Sequence, residues 1–280
     1  MLEIIQETLI DSIKILPFLF LTYLLMEYIE HKMSDKIKNV IEKSGHAGPV
    51  VGGILGCFPQ CGFSVSAANL YSARVITLGT LISIFLSTSD EMLPIFISNG
   101  TSIVVILRII GIKILIGMAA GIIIDYIMRK KNKEIKEDIH DMCETEHCHC
   151  EESILKSALK HTLNIFVFII LISFIINIVM HLIGEETLAT VLTGNTFLGP
   201  IIASLIGLIP NCVATVVITE LYLSSSITLG GLIAGTLSSA GVGLAVLFKV
   251  NKNLKENLKI VGLMYFIGVF AGIIINFINL

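Results

Sequence analysis

The sequence predicts an all-α integral membrane protein made of two inverted repeats, and three observations carry that expectation. Apolar residues make up 54% of the chain and charged residues only 15%, with a mean hydropathy of +0.88, whereas ordinary globular chains carry about 25% charged residues. The chain also repeats itself. Without a gap, residues 48–91 and 199–242 are identical at 16 of 44 positions, an offset of 151. Finally, each repeat contains an apolar stretch broken near its middle by Gly and Pro: Gly56-Cys57-Phe58-Pro59-Gln60-Cys61-Gly62 in the first and Gly207-Leu208-Ile209-Pro210-Asn211-Cys212-Val213 in the second.

A membrane helix needs about 20 apolar residues, and candidate spans lie at 9–29, 76–97, 101–128, 160–183, 228–248 and 258–280. The first is expected to be retained, since no basic region, short apolar core and cleavage site mark a signal peptide. The broken stretches at 47–72 and 198–223 are expected to be re-entrant hairpins, by parity. Lys32, Lys36, Lys38 and Lys43 place the loop at 30–46 in the cytoplasm, and Arg129, Lys130, Lys131 and Lys133 place the end of 101–128 there too. Two full spans between those loops leave no crossing for 47–72, which must turn back, with Arg74 at its cytoplasmic exit.

In the second half, the loop at 184–197 carries Glu185 and Glu186 but no Lys or Arg, and is expected outside. Its hairpin then enters from outside, with Ser225 in place of Arg74. Lys249, Lys252, Lys255 and Lys259 return the chain to the cytoplasm, and the C-terminus faces outside. The result is a first membrane repeat at 1–128, a cytoplasmic linker at 129–159 and an inverted second repeat at 160–280. Each repeat has three spans and one broken hairpin, about ten helical segments in all. Such repeats, with freed backbone groups facing a midplane cavity, are an architecture of secondary transporters.

At the hairpin tips, Pro removes a helical hydrogen bond, so Gln60, Cys61, Asn211 and Cys212 can present carbonyls, amides and thiols to a ligand. The bland alternative is a packed kink with small buried thiols. Duplication of the whole Pro-amide-Cys triplet favours function, whereas Cys57 faces Leu208 and has no counterpart. Ser87, Thr88, Ser89, Asp90 and Glu91 place two carboxylates and three hydroxyls in apolar sequence. Burying an Asp there costs about 2.5 to 3.5 kcal/mol on insertion scales, so it implies a partner or a function. The matching stretch is Ser238-Ser239-Ala240-Gly241-Val242, so the acids belong to one half only. Glu220, opposite Asn69, is a third acid. Arg108 and Lys113 are expected to pair with acids or to snorkel, with no transport role.

In the linker, His140, Cys143, His147, Cys148, His149 and Cys150 offer imidazole and thiolate donors suited to Zn, Cu or similar metals. That tract, mobile and without a symmetric partner, is expected to collect or sense metal outside the pathway. The six cysteines lack the spacing of a secreted disulfide scaffold. Nucleic acid is not an expected partner. No Walker-type loop and no nucleophile-base pair points to an enzyme.

With these residues on the page, the chain resembles the bacterial and archaeal family of ten-helix heavy-metal exporters, whose members are also labelled arsenic efflux protein or manganese transporter. The likeness rests on Phe58-Pro59-Gln60-Cys61-Gly62, on Leu86 through Pro94, on His147-Cys148-His149-Cys150, and on Ile209-Pro210-Asn211-Cys212 followed by Thr219-Glu220-Leu221-Tyr222. It implies a multi-pass protein of a prokaryotic plasma membrane, with the bilayer and a metal or metalloid ion as partners and no required cofactor; a homo-oligomer is left open. The combined expectation is export of a divalent or soft metal cation by alternating access at a midplane site between the tips. Its bound ion would draw on Cys61, Cys212, Asp90, Glu91 and Glu220, with Gln60, Asn211, Ser87 and Ser89 beside it. The rivals are an anion or oxyanion permease using half-helix N-termini, against which buried acids without a buried cation would count, and a membrane metal sensor.

Overall fold

The computed structural model describes residues 47–58, 61–89, 91–131, 154–183 and 198–278, with scattered helical positions between 13 and 24. Among the described residues every regular element is a helix: α1 (Gly48–Gly56), α2 (Cys61–Ser72), α3 (Leu78–Ser87), α4 (Met92–Ser98), α5 (Ile103–Lys131), α6 (Ile154–Ile183), α7 (Leu198–Gly207), α8 (Cys212–Leu223), α9 (Leu229–Ser238), α10 (Val242–Val250) and α11 (Leu254–Ile278).

Four stretches among the described residues are long and apolar enough to cross a bilayer: Leu78–Ser98, Ile103–Met128, Leu229–Val250 and Leu254–Ile278. They divide into inner and outer elements. The α3–α4 and α9–α10 stretches are 71% and 94% buried within the protein, but α5 and α11 only 22% and 33%. The outer pair turn Leu107, Leu115, Ile123, Phe266, Phe270 and Phe277 outward, as befits helices whose solvent on that side is hydrocarbon. The protein is a multi-pass helical membrane protein.

The spans expected at 76–97 and 228–248 are present, and each is broken internally, which the sequence reading had not marked. α3 stops at Ser87 and α4 starts at Met92; α9 stops at Ser238 and α10 starts at Val242. Short hydroxyl side chains compete for the backbone here. Thr88 Oγ1 donates to Ile84 O at 2.9 Å and Ser89 Oγ to Ser87 O at 3.1 Å. In the second break Gly241 takes φ of +52°, which costs glycine little and any other residue more. Counting apolar residues registers neither effect.

Local geometry recurs at the offset of 151. Thr77 and Thr228 cap α3 and α9 by accepting from Thr80 N–H and Gly231 N–H at 3.1 and 3.2 Å. Arg74 and Ser225, which end the turns after α2 and α8, are the non-glycine residues with positive φ among those described, at 59° and 58°. Gly79 N–H donates to Asp125 Oδ1 at 2.8 Å, and Gly230 N–H to Asn276 Oδ1 at 3.0 Å. The glycines are needed because the helices touch: a Cβ on Gly79 would lie 2.2 Å from Gly121 O, and one on Gly230 2.2 Å from Gly272 O. Between apolar helices in lipid, such close approach replaces the hydrophobic effect as the source of association.

Asn276 predicts what Asp125 can tolerate. Asp125→Asn keeps an acceptor for Gly79 N–H and should move the melting temperature in detergent little. Asp125→Leu strands that N–H and takes one acceptor from the Thr77 hydroxyl, which lies 2.6 Å from Asp125 Oδ2 and keeps Thr80 Oγ1 at 2.8 Å, and should cost about 1 to 3 kcal/mol, one unsatisfied buried group. Equal melts for the two variants would contradict this.

The limbs around each tip part company. α1 lies parallel to α3, with Gly48 against Thr80 and Gly56 against Ile84 and Ser87. α2 leads into α3 through residues 73–77, so α1 begins and α2 ends at the same end of α3. α1 packs on α3 and α5 of its own half, while α2 packs chiefly on α10 of the other; correspondingly, α7 packs on α9 and α11, and α8 on α9 and α4. Ser64 of α2 meets Gly243 of α10, Ser72 Oγ donates to Val250 O at 2.8 Å, and Phe96 of α4 stands edge-on to Tyr222 of α8 at 6.1 Å.

Candidate functional site

Because α2 and α8 cross between halves, the two helix breaks lie in the interior with the first turns of α2 and α8 beside them. The side chains there are hydroxyls: Ser64, Ser87, Thr88, Ser89, Thr215, Thr236, Ser238 and Ser239 are all buried. Thr215 Oγ1 and Ser239 Oγ share a hydrogen bond of 2.8 Å. Ser238 donates to Ser204 Oγ at 2.9 Å, with Met264 O at 3.3 Å. Ser87, the counterpart of Ser238, has no hydrogen-bond partner among the described residues although it is fully buried. Gly53 stands where the second half has Ser204, which removes the partner. A buried polar atom left unmatched costs about 1 to 3 kcal/mol, so Ser87→Ala should hold or raise the melting temperature while weakening ion binding. A clear drop in melting temperature would mean that the hydroxyl has a structural partner.

Lys113 of α5 is fully buried at this place, which removes snorkelling, one of the two alternatives expected for it. Its Nζ donates to Thr88 O, the carbonyl at the C-terminal end of α3, and to Thr236 O in the last turn of α9 at 3.2 Å. Carbonyls in a last turn lack intrahelical partners and carry the negative end of the helix dipole. One ammonium thus joins the broken helices of both halves. Its counterpart is Met264. The argument against an anion, that no cation is buried with the acids, therefore lapses.

The tips fare unevenly. Asn211 is buried and its side chain accepts from Val213 N–H at 3.2 Å, so its oxygen caps α8. Cys212, half-buried, opens α8; it and the half-buried Cys57 are thiols, not a disulfide. Cys57 lies within electrostatic reach of Lys113. Cys61 opens α2. Glu91 is half-buried just before α4, and Glu220 is exposed on α8, whereas its counterpart Asn69 is buried, accepting from the Tyr23 hydroxyl at 2.8 Å. Gln60, Asp90 and the tract from His140 through Cys143, His147, Cys148 and His149 to Cys150 lie outside the described residues. Among the described residues no three His, Cys, Asp or Glu side chains cluster to hold a metal. A cavity of about 390 Å³ beside the second tip is lined by Phe168, Leu208, Pro210, Leu244, Phe248 and Val261; its walls offer an ion no donor.

The hydroxyls of Ser64, Thr215, Thr236 and Ser239 had not been singled out as site groups, and Lys113 had been named without a transport role. One signal was available, since Ser64 and Thr215, like Thr88 and Ser239, pair at the offset of 151.

At one end of the bundle the halves are clamped. Arg74 Nη1 and Nη2 donate to Glu256 Oε1 and Oε2 at 2.8 and 3.1 Å, the Tyr71 hydroxyl donates to the same carboxylate, and Asn251 Nδ2 reaches it at 3.3 Å. The counterparts of Tyr71, Arg74 and Glu256 are Tyr222, Ser225 and Val105, so the ion pair has no copy in the repeat.

Broken helices bring backbone carbonyls and a buried charge together in the interior of a helical membrane protein. Residues 1–185 and 128–253 match the ArsP_2 family, described as a 10TM heavy-metal exporter, and the chain belongs to that family. It is a membrane transporter of the heavy-metal exporter class. No curated protein and no solved structure matches it.

Proposed function

We propose that the protein is a secondary transporter that exports a divalent or soft metal cation by alternating access between two inverted halves. One observation carries this reading: C-terminal carbonyls of α3 and α9, one from each half, converge on a single positive group among buried hydroxyls. Oxygen donors of this kind hold cations, and Cys61 and Cys212 at the tips add sulfur for softer ones. Asp90 and Glu91 follow two and three residues after Thr88 and supply the charge that a divalent ion requires. The recurring caps, turns and glycine contacts support an inverted repeat whose tips are re-entrant, and the exchange of α2 and α8 places moving contacts between the halves. The Cys/His tract of the linker serves collection or sensing.

Lys113 also favours a second reading, an oxyanion held by the ammonium and the N-terminus of α8. Purified protein in liposomes decides. The cation reading expects saturable Mn²⁺ or Zn²⁺ flux and no arsenite flux. Flux of arsenite or another oxyanion without metal flux would establish the permease, and no flux of any of these ions would leave the sensor.

A further inference from the structure

We propose that an anionic phospholipid binds in the cavity beside the second tip, with an acyl chain against Leu208 and Pro210 and its headgroup on Lys249 and Lys160. The inference holds whichever ion the protein carries, and its test measures the lipid and no ion. A tail in this place forms one wall of the hairpin that presents Asn211 and Cys212.

The walls select hydrocarbon. The cavity of about 390 Å³ lies between Phe168 of α6, Leu208 and Pro210 of the tip, and Leu244, Ala245 and Phe248 of α10, within the range of ~300 to 1,000 Å³ typical of small-molecule sites. Every lining side chain is apolar, so an ion or a water molecule would enter without a partner. Left empty, the same walls forfeit their dispersion contacts. An acyl chain meets both conditions, and the bilayer supplies it.

The rim selects negative charge. Lys249 follows Phe248, the lining residue nearest the end of α10; its Nζ donates to Asn164 O at 3.1 Å and stands 4.6 Å over the ring of Phe168. The ammonium is thus held over the opening, between α10 and α6. Lys160 is exposed one turn before Asn164 on α6, and Lys252, Lys255 and Lys259 are exposed beyond α10. Among the described residues of α6, α10 and α11 the acid is Glu256, which Arg74 holds. Basic pockets between membrane helices on the cytoplasmic side suit lipid headgroups, and these lysines are among those that assign this end to the cytoplasm. From Phe248 the cavity runs one turn along α10 to Leu244 and the tip, about 5 to 6 Å, so one molecule reaches both the lysines and Pro210.

The repeat shows that the fold does not need this cation. Ser98, Ile97, Pro94 and Cys57 stand in the first half for Lys249, Phe248, Ala245 and Leu208. The Ser98 hydroxyl turns back on its own helix, donating to Ile95 O at 2.9 Å.

The full chain in detergent is titrated with dioleoyl phosphatidylglycerol or dioleoyl phosphatidylcholine, which share their tails and differ in headgroup charge, and is read by native mass spectrometry and thermal melts. Wild type should retain phosphatidylglycerol ~10-fold or more over phosphatidylcholine and melt higher with it. Lys160→Gln combined with Lys249→Gln should cut that preference to ~2-fold or less. Ala245→Phe, which fills the cavity, should lose the retained lipid of either kind. Arg108→Gln, which removes an exposed cation from the outer helix α5, should keep the wild-type preference. Equal retention of the two lipids by wild type would reduce the cavity to a crevice that any hydrocarbon fills, and overturns the proposal. So does a folded Ala245→Phe that holds phosphatidylglycerol as wild type does, or an Arg108→Gln that loses as much preference as the lysine pair. If Ala245→Phe does not fold, the lysine pair and Arg108→Gln decide between them.

Discussion

Gly243→Val is expected to cut metal flux by ~10-fold or more and to lower stability by about 1 to 3 kcal/mol, the range for overpacking a tight contact. Gly243 lies in the first turn of α10, where a Cβ would fall 2.6 Å from Ser64 Cβ and 2.7 Å from the Ser64 carbonyl carbon and Oγ. A side chain could swing away; a backbone carbon cannot, so α2 must leave α10. That contact joins the two halves next to the breaks, and any cycle in which the halves move has to re-form it. Initial flux rates and thermal melts on the same preparation measure both effects. Ser64→Gly in the Gly243→Val background removes two of the three clashes and should rescue only in part. Wild-type flux in Gly243→Val would mean that the α2–α10 contact is not used in transport.

The second large effect is expected at the clamp. Glu256→Ala should cost about 2 to 3 kcal/mol, because it strips an acceptor from the Tyr71 hydroxyl and Asn251 as well as from Arg74. Arg74→Ala should cost less, about 1 kcal/mol, since its side chain is 34% exposed and the ion pair is screened there. Both should expose that end of the bundle: a cysteine at Ser72 should react with a water-soluble maleimide ~5-fold faster or more in either background. Raising the salt should narrow both differences by a similar amount, because both variants lose the ion pair, and should leave Glu256→Ala the larger remainder. A labelling rate at position 72 that ignores both substitutions would show that this ion pair holds nothing shut.

Much of the architecture was legible because it is written locally and twice. The Pro-amide-Cys tips, the capping threonines and the turn residues 74 and 225 recur at a fixed offset, and outer helices such as α5 announce themselves by unbroken apolar length. What escaped was non-local. That α2 packs on α10 and α8 on α4 follows from three-dimensional closure, which a repeat in the sequence does not encode. The breaks at 88–91 and 239–241 were hidden by their apolar neighbours, because a hydropathy count weighs Thr88 and Ser239 by polarity and ignores their competition for backbone. Lys113 was left between pairing and snorkelling for a similar reason: a single lysine in an apolar run looks the same whether it reaches the interface or the carbonyls of two other helices. Glu220 and Asn69 show the converse, since equivalent positions in the repeat end up exposed in one half and buried in the other.

A carrier whose two halves were identical would have two facing states of equal free energy, and at rest its molecules would divide evenly between them. The pairing of Arg74 with Glu256 at one end, where the other has Ser225 and Val105, removes that equality. Even ~1 kcal/mol shifts a two-state balance about fivefold. In the proposed cycle an idle population would stand mostly shut at the clamped end, which the lysine count puts in the cytoplasm, so an ion to be exported would have to open the clamp before it could load. In that cycle loading would be gated by two side chains some distance from the ion they serve.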